Sequence, residues 1–165
     1  MSTNIYLKLD GIKGECKAEG HADEIEILSW SHGFSQPTSS VRASSGSTVE
    51  KANHSDLSIT KYLDSSTDDL LKSCWTGKQI KTGKIVCLRS DGAVDNKHVE
   101  YLTVDLEEII ISNLSISGGS GDLPIENVSM NYGKIKYTYM PQKKEDGTGG
   151  SAEPIACDLN TNKIS

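Results

Sequence analysis

The glycine-rich segments come closest to a motif for nucleotide or acyl chemistry. Residues 77–85, GKQIKTGKI, are similar to a phosphate-binding loop, but the spacing is one residue too long and Ile85 stands where a Ser or Thr would hold magnesium. Residues 117–122, SGGSGD, do not match a G-x-S-x-G nucleophile elbow, because Asp122 takes the final glycine position. We therefore interpret both segments as connecting loops.

The acidic residues and histidines form no catalytic pattern either. His21, Asp23 and Glu24 lie close in sequence, but consecutive strand residues point to opposite faces, and the four histidines share no metal-ligand spacing. The adjacent acids at 68–69 and 107–108 are interpreted as a helix start and a solvated strand edge. The sequence predicts no enzyme, no metal and no cofactor.

Charge and hydropathy exclude two classes of partner. The 165 residues contain 17 Lys and Arg against 23 Asp and Glu, a net charge of -6. Since an acidic surface repels phosphates, we expect no nucleic-acid partner. The longest apolar runs have three or four residues, whereas a membrane span needs about 20. We therefore expect no membrane insertion.

The N-terminal residues and the cysteines indicate the compartment in which the chain folds. The N-terminus has neither the basic region nor the apolar stretch of a secretory signal. Cys16, Cys74, Cys87 and Cys157 form no CxxC pair and are predicted to be reduced packing residues. We expect folding and assembly in the cytoplasm, without a cleaved signal peptide.

Period-two alternation predicts a mainly β fold. It is clearest where Ile5, Leu7 and Leu9 alternate with polar neighbours. The other predicted strands cover residues 24–33, 57–60, 80–90, 99–117 and 134–139, of which 99–117 is long enough to bend or to divide. In the strand 24–33, Leu28 and Trp30 are predicted to face the core, so that Ser29 and Ser31 face outward.

One short helix is predicted over residues 66–76. Ser66 and Asp69 have the spacing of a capping box, and Gly77 stands where a C′ glycine belongs. An apolar stripe includes Leu70, Leu71 and Trp75, which we expect to pack on the sheets or at a subunit interface. Two further stretches are predicted to be irregular: a serine-rich extended loop at 37–55 and a polar linker at 141–154 that leads to a C-terminal tail.

The ordered series of these segments resembles the haemolysin-coregulated protein (Hcp) family of bacterial type VI secretion. Each segment alone is ordinary strand and turn chemistry, but their order is specific. The segments are IYLKLDGIKGECK, HADEIEILSWSHGFSQP, DLSITKYLDSSTDDLLKSCWTGK, VEYLTVDLEEIIISNLSISGGSGD, ENVSMNYGKIKYTYMPQ and CDLNTN. The resemblance implies one Hcp-like domain over residues 1–165, a two-sheet antiparallel β-barrel with one flanking helix.

The resemblance also implies a structural role in secretion. Homo-hexameric rings would stack into a tube that a contractile sheath on a baseplate propels, with a trimeric spike protein at its tip, into a target cell. The tube would carry small effector proteins and be secreted with them. On this hypothesis Ser29 and Ser31 line the lumen and contact effectors, and Arg42, Glu50 and Lys51 of the extended loop contact the next ring.

Two other functions remain open at this point. A monomeric β-barrel binding module would keep the fold without the ring. A secreted hydrolytic effector would need a toxin domain after the linker, and only about ten residues follow Pro154.

Overall fold

The fold is mainly antiparallel β with a single helix among the described residues, as the alternation predicts. The computed structural model describes residues 4–37, 51–90, 98–141 and 150–165. Its elements are β1 Asn4–Leu9, β2 Ile25–Glu26, β3 Ser29–Ser31, β4 Phe34–Ser35, β5 Asn53–His54, β6 Leu57–Tyr62, α1 Thr67–Thr76, β7 Ile80–Ser90, β8 His98–Ser117, β9 Ile125–Asn131, β10 Lys134–Tyr139, β11 Glu153–Asp158 and β12 Lys163–Ile164.

Strand β8 belongs to both sheets. Its first half lies between β7 and β10 in the first sheet, ordered β12-β11-β10-β8-β7-β1-β2, and from Ile110 onward it pairs with β9 in the second, ordered β8-β9-β6-β3. Glu108, at the change of sheet, has a φ of 57°. This left-handed residue turns the strand, so the predicted long strand bends rather than divides.

Among the described residues, strand pairing leaves the two-sheet barrel open, while its mainly β, antiparallel class is as predicted. The Ile27 amide donates to the Ile5 carbonyl of β1 at 3.1 Å, whereas the next amide, that of Leu28, donates to the Thr60 carbonyl of β6 at 2.7 Å. Two successive amides thus donate hydrogen bonds to strands of different sheets. The bend at Leu28 divides the predicted strand 24–33 into β2 and β3, which do not pair with each other.

The core lies between the two sheets. Inward-facing side chains of alternate residues are fully buried, and each contributes about 1.5–3 kcal/mol. They include Leu7, Leu9, Ile25, Ile85, Val104, Leu106 and Ile109 from the first sheet, and Leu57, Ile59, Ile111, Val128 and Met130 from the second. Trp30 is half-buried against this core, as predicted.

Helix α1 packs through part of the predicted stripe, mainly Leu70, with Cys74 partly buried against the core. Leu70 is fully buried and Leu71 is half-buried. Trp75 is 78 % exposed, so its predicted packing on the sheets is wrong. Trp75 is exposed because of its position around the helix axis: Leu70 and Ser73 face the core, and Trp75 lies on the other side of the helix.

The two helix ends differ in how well the sequence predicts them. Gly77 has φ 66° and ends the helix in the left-handed conformation, as predicted. The capping box is wrong, because Ser66 is helical in φ and ψ and makes no side-chain cap bond. Its hydroxyl and its amide instead donate to Asp64 Oδ1.

The irregular segments are more ordered at their ends than predicted. Asn53 and His54 of the expected extended loop form β5, paired with β4. Glu153 and Pro154 of the expected linker begin β11, which pairs with β10 and brings the C-terminal tail into the first sheet. The four cysteines are unpaired thiols, as predicted. Within the described ranges, the structure has no helix long and apolar enough to span a bilayer.

Candidate functional site

The outer face of the second sheet carries two cross-strand rows of small polar side chains. The register aligns Ser31, Ser58, Ser129 and Asn113 in one row, and Ser29, Thr60, Asn127 and Ser115 in the next. We call these eight residues the hydroxyl–amide face. It arises because every second residue is Ser, Thr or Asn over 29–31, 58–60, 113–115 and 127–129.

Hydrogen bonds across the strands hold this face together. Ser58 Oγ and Ser129 Oγ are 3.1 Å apart, and Thr60 Oγ1 donates to Asn127 Oδ1 at 2.9 Å. Ser29 and Ser31 at the β3 edge are exposed, as predicted. Leu28, predicted to face the core beside Trp30, is 46 % exposed because the chain bends there.

The face is electrically neutral, unlike the outer face of the first sheet. None of its eight residues is ionisable. On the first sheet, the register instead aligns Thr82, Glu107, Lys134, Asp158 and Lys163. Lys134 Nζ lies 3.7 Å from the Glu107 carboxylate and 4.0 Å from that of Asp158. The two sheets therefore present chemically different surfaces.

A buried ion pair lies directly behind the hydroxyl–amide face. Lys61 and Glu126 are opposite each other on β6 and β9, both are fully buried, and Lys61 Nζ is 2.5 Å from Glu126 Oε2. Lys61 Nζ also donates to Asp64 Oδ1 at 2.9 Å and to the Tyr62 carbonyl at 3.0 Å. The sequence pattern did not predict this pair. The alternation in β6 could have revealed it, because Lys61 takes the third inward position after Leu57 and Ile59.

Asp56 ends the face near the start of β6. Ser112 Oγ donates to its carboxylate at 2.5 Å, and Asn131 Nδ2 donates at 3.1 Å. The polar face therefore continues into an acidic residue at this end, where β8 leaves the first sheet.

A second polar group, which we call the histidine–tyrosine cluster, consists of His32, His54, Tyr132 and Tyr137. Tyr132 Oη lies 2.8 Å from His32 Nε2 and 2.8 Å from His54 Nδ1, and His32 Nδ1 lies 2.6 Å from Tyr137 Oη. Sequence spacing gave no sign of it, because His32, His54 and the tyrosine pair come from three separate segments.

Burial shifts the titration of this cluster. It lowers the pKa of His32 and of His54, since a charged imidazole is costly away from water. It raises the pKa of Tyr137 to about 12, and it also raises that of Tyr132. In the part of the chain that the structure describes, no group of three or more His, Cys, Asp or Glu residues could hold a metal ion.

Of the three residues predicted to contact the next ring, the structure describes Lys51. Arg42 and Glu50 lie outside the described residues. Lys51 Nζ donates to the Leu159 carbonyl at 3.4 Å, so this side chain reaches the C-terminal tail. The tail is fixed further by Asn160 Nδ2, which donates to Glu108 at 2.6 Å.

Comparison with known proteins places the chain in a family. The family model described as "Type VI secretion system effector, Hcp" matches residues 6–139. The chain is 34% identical over 163 residues to "Protein hcp1" of Pseudomonas aeruginosa, with 98% of each chain covered. It is 26% identical to the "Major exported protein" of the same organism, covering 94% of this chain and 99% of that one.

A solved structure agrees with these matches. The crystal structure of Hcp1 from Salmonella typhimurium superimposes with a TM-score of 0.81 at 29% identity, over 100% of both chains. The sequence match and the shared fold therefore lead to one conclusion: this chain belongs to the Hcp family of type VI secretion proteins.

Proposed function

We infer that this chain forms homo-hexameric rings that stack into a tube, with the hydroxyl–amide face lining the channel. The observation that carries this proposal is a neutral polar face that runs without interruption from one edge of the second sheet to the other. A structural role of this kind needs no catalytic group.

The edges of that sheet support assembly between copies. Among the described residues, β3 pairs only with β6, and residues 110–117 of β8 pair only with β9. Each edge leaves backbone donors and acceptors without a strand partner, and natural proteins cover such edges. Joining the β3 edge of one copy to the β8 edge of the next would continue both polar rows around a ring.

The chemistry of the face suits transient contact with cargo. Hydroxyl and amide groups exchange hydrogen bonds with water at little net cost, about 0.5–1.5 kcal/mol per bond. A neutral wall also neither attracts nor repels a protein of either charge. We propose that small effector proteins contact Ser29 and Ser31 inside the ring and can be released from it.

The remaining partners follow from the family. The tube would be assembled in the cytoplasm, tipped by the trimeric spike protein, driven by the contractile sheath and baseplate, and secreted. Arg42, Glu50 and Lys51 are proposed to contact the next ring.

The lumen proposal is tested with Ser31→Gln. The longer side chain crowds the wall, so we expect intact hexamers in native mass spectrometry but reduced co-purification of cognate effectors. Ser65→Gln, at an exposed turn before α1, is the matched control and should retain them. Unchanged effector binding in Ser31→Gln would refute a lumenal Ser31, and a wild-type monomer would instead support the binding module.

A further inference from the structure

The histidine–tyrosine cluster fastens a separate piece of the fold. Strands β4 and β5 form a two-stranded ribbon outside the two main sheets. The ribbon begins just after His32 and ends with His54. Tyr132 precedes β10 and Tyr137 lies within it, so the hydrogen bonds of the cluster connect the ribbon to β10, which lies between β11 and β8 in the first sheet.

The hydrogen atoms of the cluster can be assigned from one acceptor. The Ser55 carbonyl lies 3.1 Å from His32 Nε2 and can only accept, so we place the His32 proton on Nε2. His32 Nδ1 then accepts from the Tyr137 hydroxyl. The one Nε2 proton of His32 is shared between the Ser55 carbonyl and the Tyr132 oxygen, and the Tyr132 hydroxyl donates to His54 Nδ1. The set is complete with both imidazoles neutral.

A second proton on either histidine breaks this arrangement. On His32 it would occupy Nδ1, where Tyr137 now donates, and on His54 it would occupy Nδ1, where Tyr132 now donates. Each protonation would force the facing hydroxyl to reverse, and with both histidines protonated both hydroxyls would reverse. Two cations would also stand on either side of the single Tyr132 oxygen, in partly buried surroundings.

We propose that His32 and His54 form an acid-released latch, which holds the β4–β5 ribbon against β10 while neutral and frees it when protonated. The sign follows from linkage. The latched state binds protons less readily than a released ribbon, whose histidines would titrate near 6.5. The stability that the neutral histidines give to the docked ribbon is therefore fully present above about pH 6.5 and is lost as the pH falls below that value.

Neighbouring charged residues have opposite effects on the protonation of the two histidines. Asp56 favours the protonated form of His32 and opposes release at a given pH, whereas Lys51 disfavours protonation of His54. Cys157 Sγ on β11, 3.9 Å from His54 Nε2, is a further titratable neighbour. If the tube proposal holds, the latch also positions Pro37 and Lys51, the described residues next to β4 and β5 at the loop that is proposed to contact the next ring.

Hydrogen–deuterium exchange of the full chain tests the latch, whether or not rings stack. After correction for intrinsic rates, we expect protection of peptides covering residues 29–37 and 51–57 to fall at least tenfold from pH 7.5 to 5.5. A peptide from β9 should keep its protection. The double variant His32→Gln/His54→Gln should lose the pH effect, and His98→Gln, an exposed histidine elsewhere, should keep it.

Two results would overturn the latch. One is equal protection of the ribbon at both pH values in the wild type, a measurement that depends on no variant. The other is a pH effect that survives in the folded double variant. Tyr132→Phe, which keeps both histidines but removes their shared hydroxyl, should give rapid ribbon exchange already at pH 7.5.

Discussion

The buried pair of Lys61 and Glu126 gives the sharpest test of how the hydroxyl–amide face is held. The two residues are cross-strand partners next to Thr60 and Asn127. Because side chains alternate, a slip of one residue would turn the pair to solvent and the polar row to the core. The buried charges therefore oppose any other register of β6 on β9.

The structure predicts unequal effects of removing each partner. Lys61→Met leaves the Glu126 carboxylate fully buried without a cation, and stranding a buried charge costs about 3–5 kcal/mol. Glu126→Gln leaves Lys61 with Asp64 and the Tyr62 carbonyl, so we expect about 1–3 kcal/mol. The double variant Lys61→Met/Glu126→Met should be more stable than Lys61→Met alone.

Urea unfolding at fixed protein concentration measures these differences. Fluorescence of the half-buried Trp30 reports on the core, and comparison of m-values checks that the denatured states are alike. The reasoning is refuted if Glu126→Gln costs as much as Lys61→Met, or if Lys61→Met costs under about 1 kcal/mol.

Two further variants address the assembly. Trp75→Ala should change the unfolding free energy of the subunit by no more than about 0.5 kcal/mol, because the indole is 78 % exposed. The same variant should weaken the contact between subunits more than Lys78→Ala does, because exposed tryptophans are common at interfaces. Equal ring dissociation of the two variants in native mass spectrometry would show that Trp75 is not at the interface. Replacing residues 39–52 by a short Gly-Ser connector should leave hexamers intact but abolish tubes in electron microscopy, and normal tubes would show that this loop does not stack rings.

Local sequence determined the strands because their alternation is a direct record of which face is buried. The run 80–90 became β7 with its predicted bounds, and the long run 99–117 became the bent strand β8. Ser29 and Ser31 were expected to face outward, and they do. Gly77 ends the helix because a left-handed residue there needs no tertiary partner.

Tertiary structure decided what depends on contacts between distant segments. Trp75 shares a stripe with Leu70 in sequence, but the angle at which α1 meets the sheets buries only Leu70. The bend at Leu28 exists because successive amides bond to different sheets. The histidine–tyrosine cluster joins residues 100 and 105 positions apart, so no local pattern could reveal it. The sequence alone thus determines which residues face inward or outward along a strand, whereas the closeness of Lys61 to Glu126, or of His32 to Tyr137, results from chain reversals whose geometry only the packed core fixes.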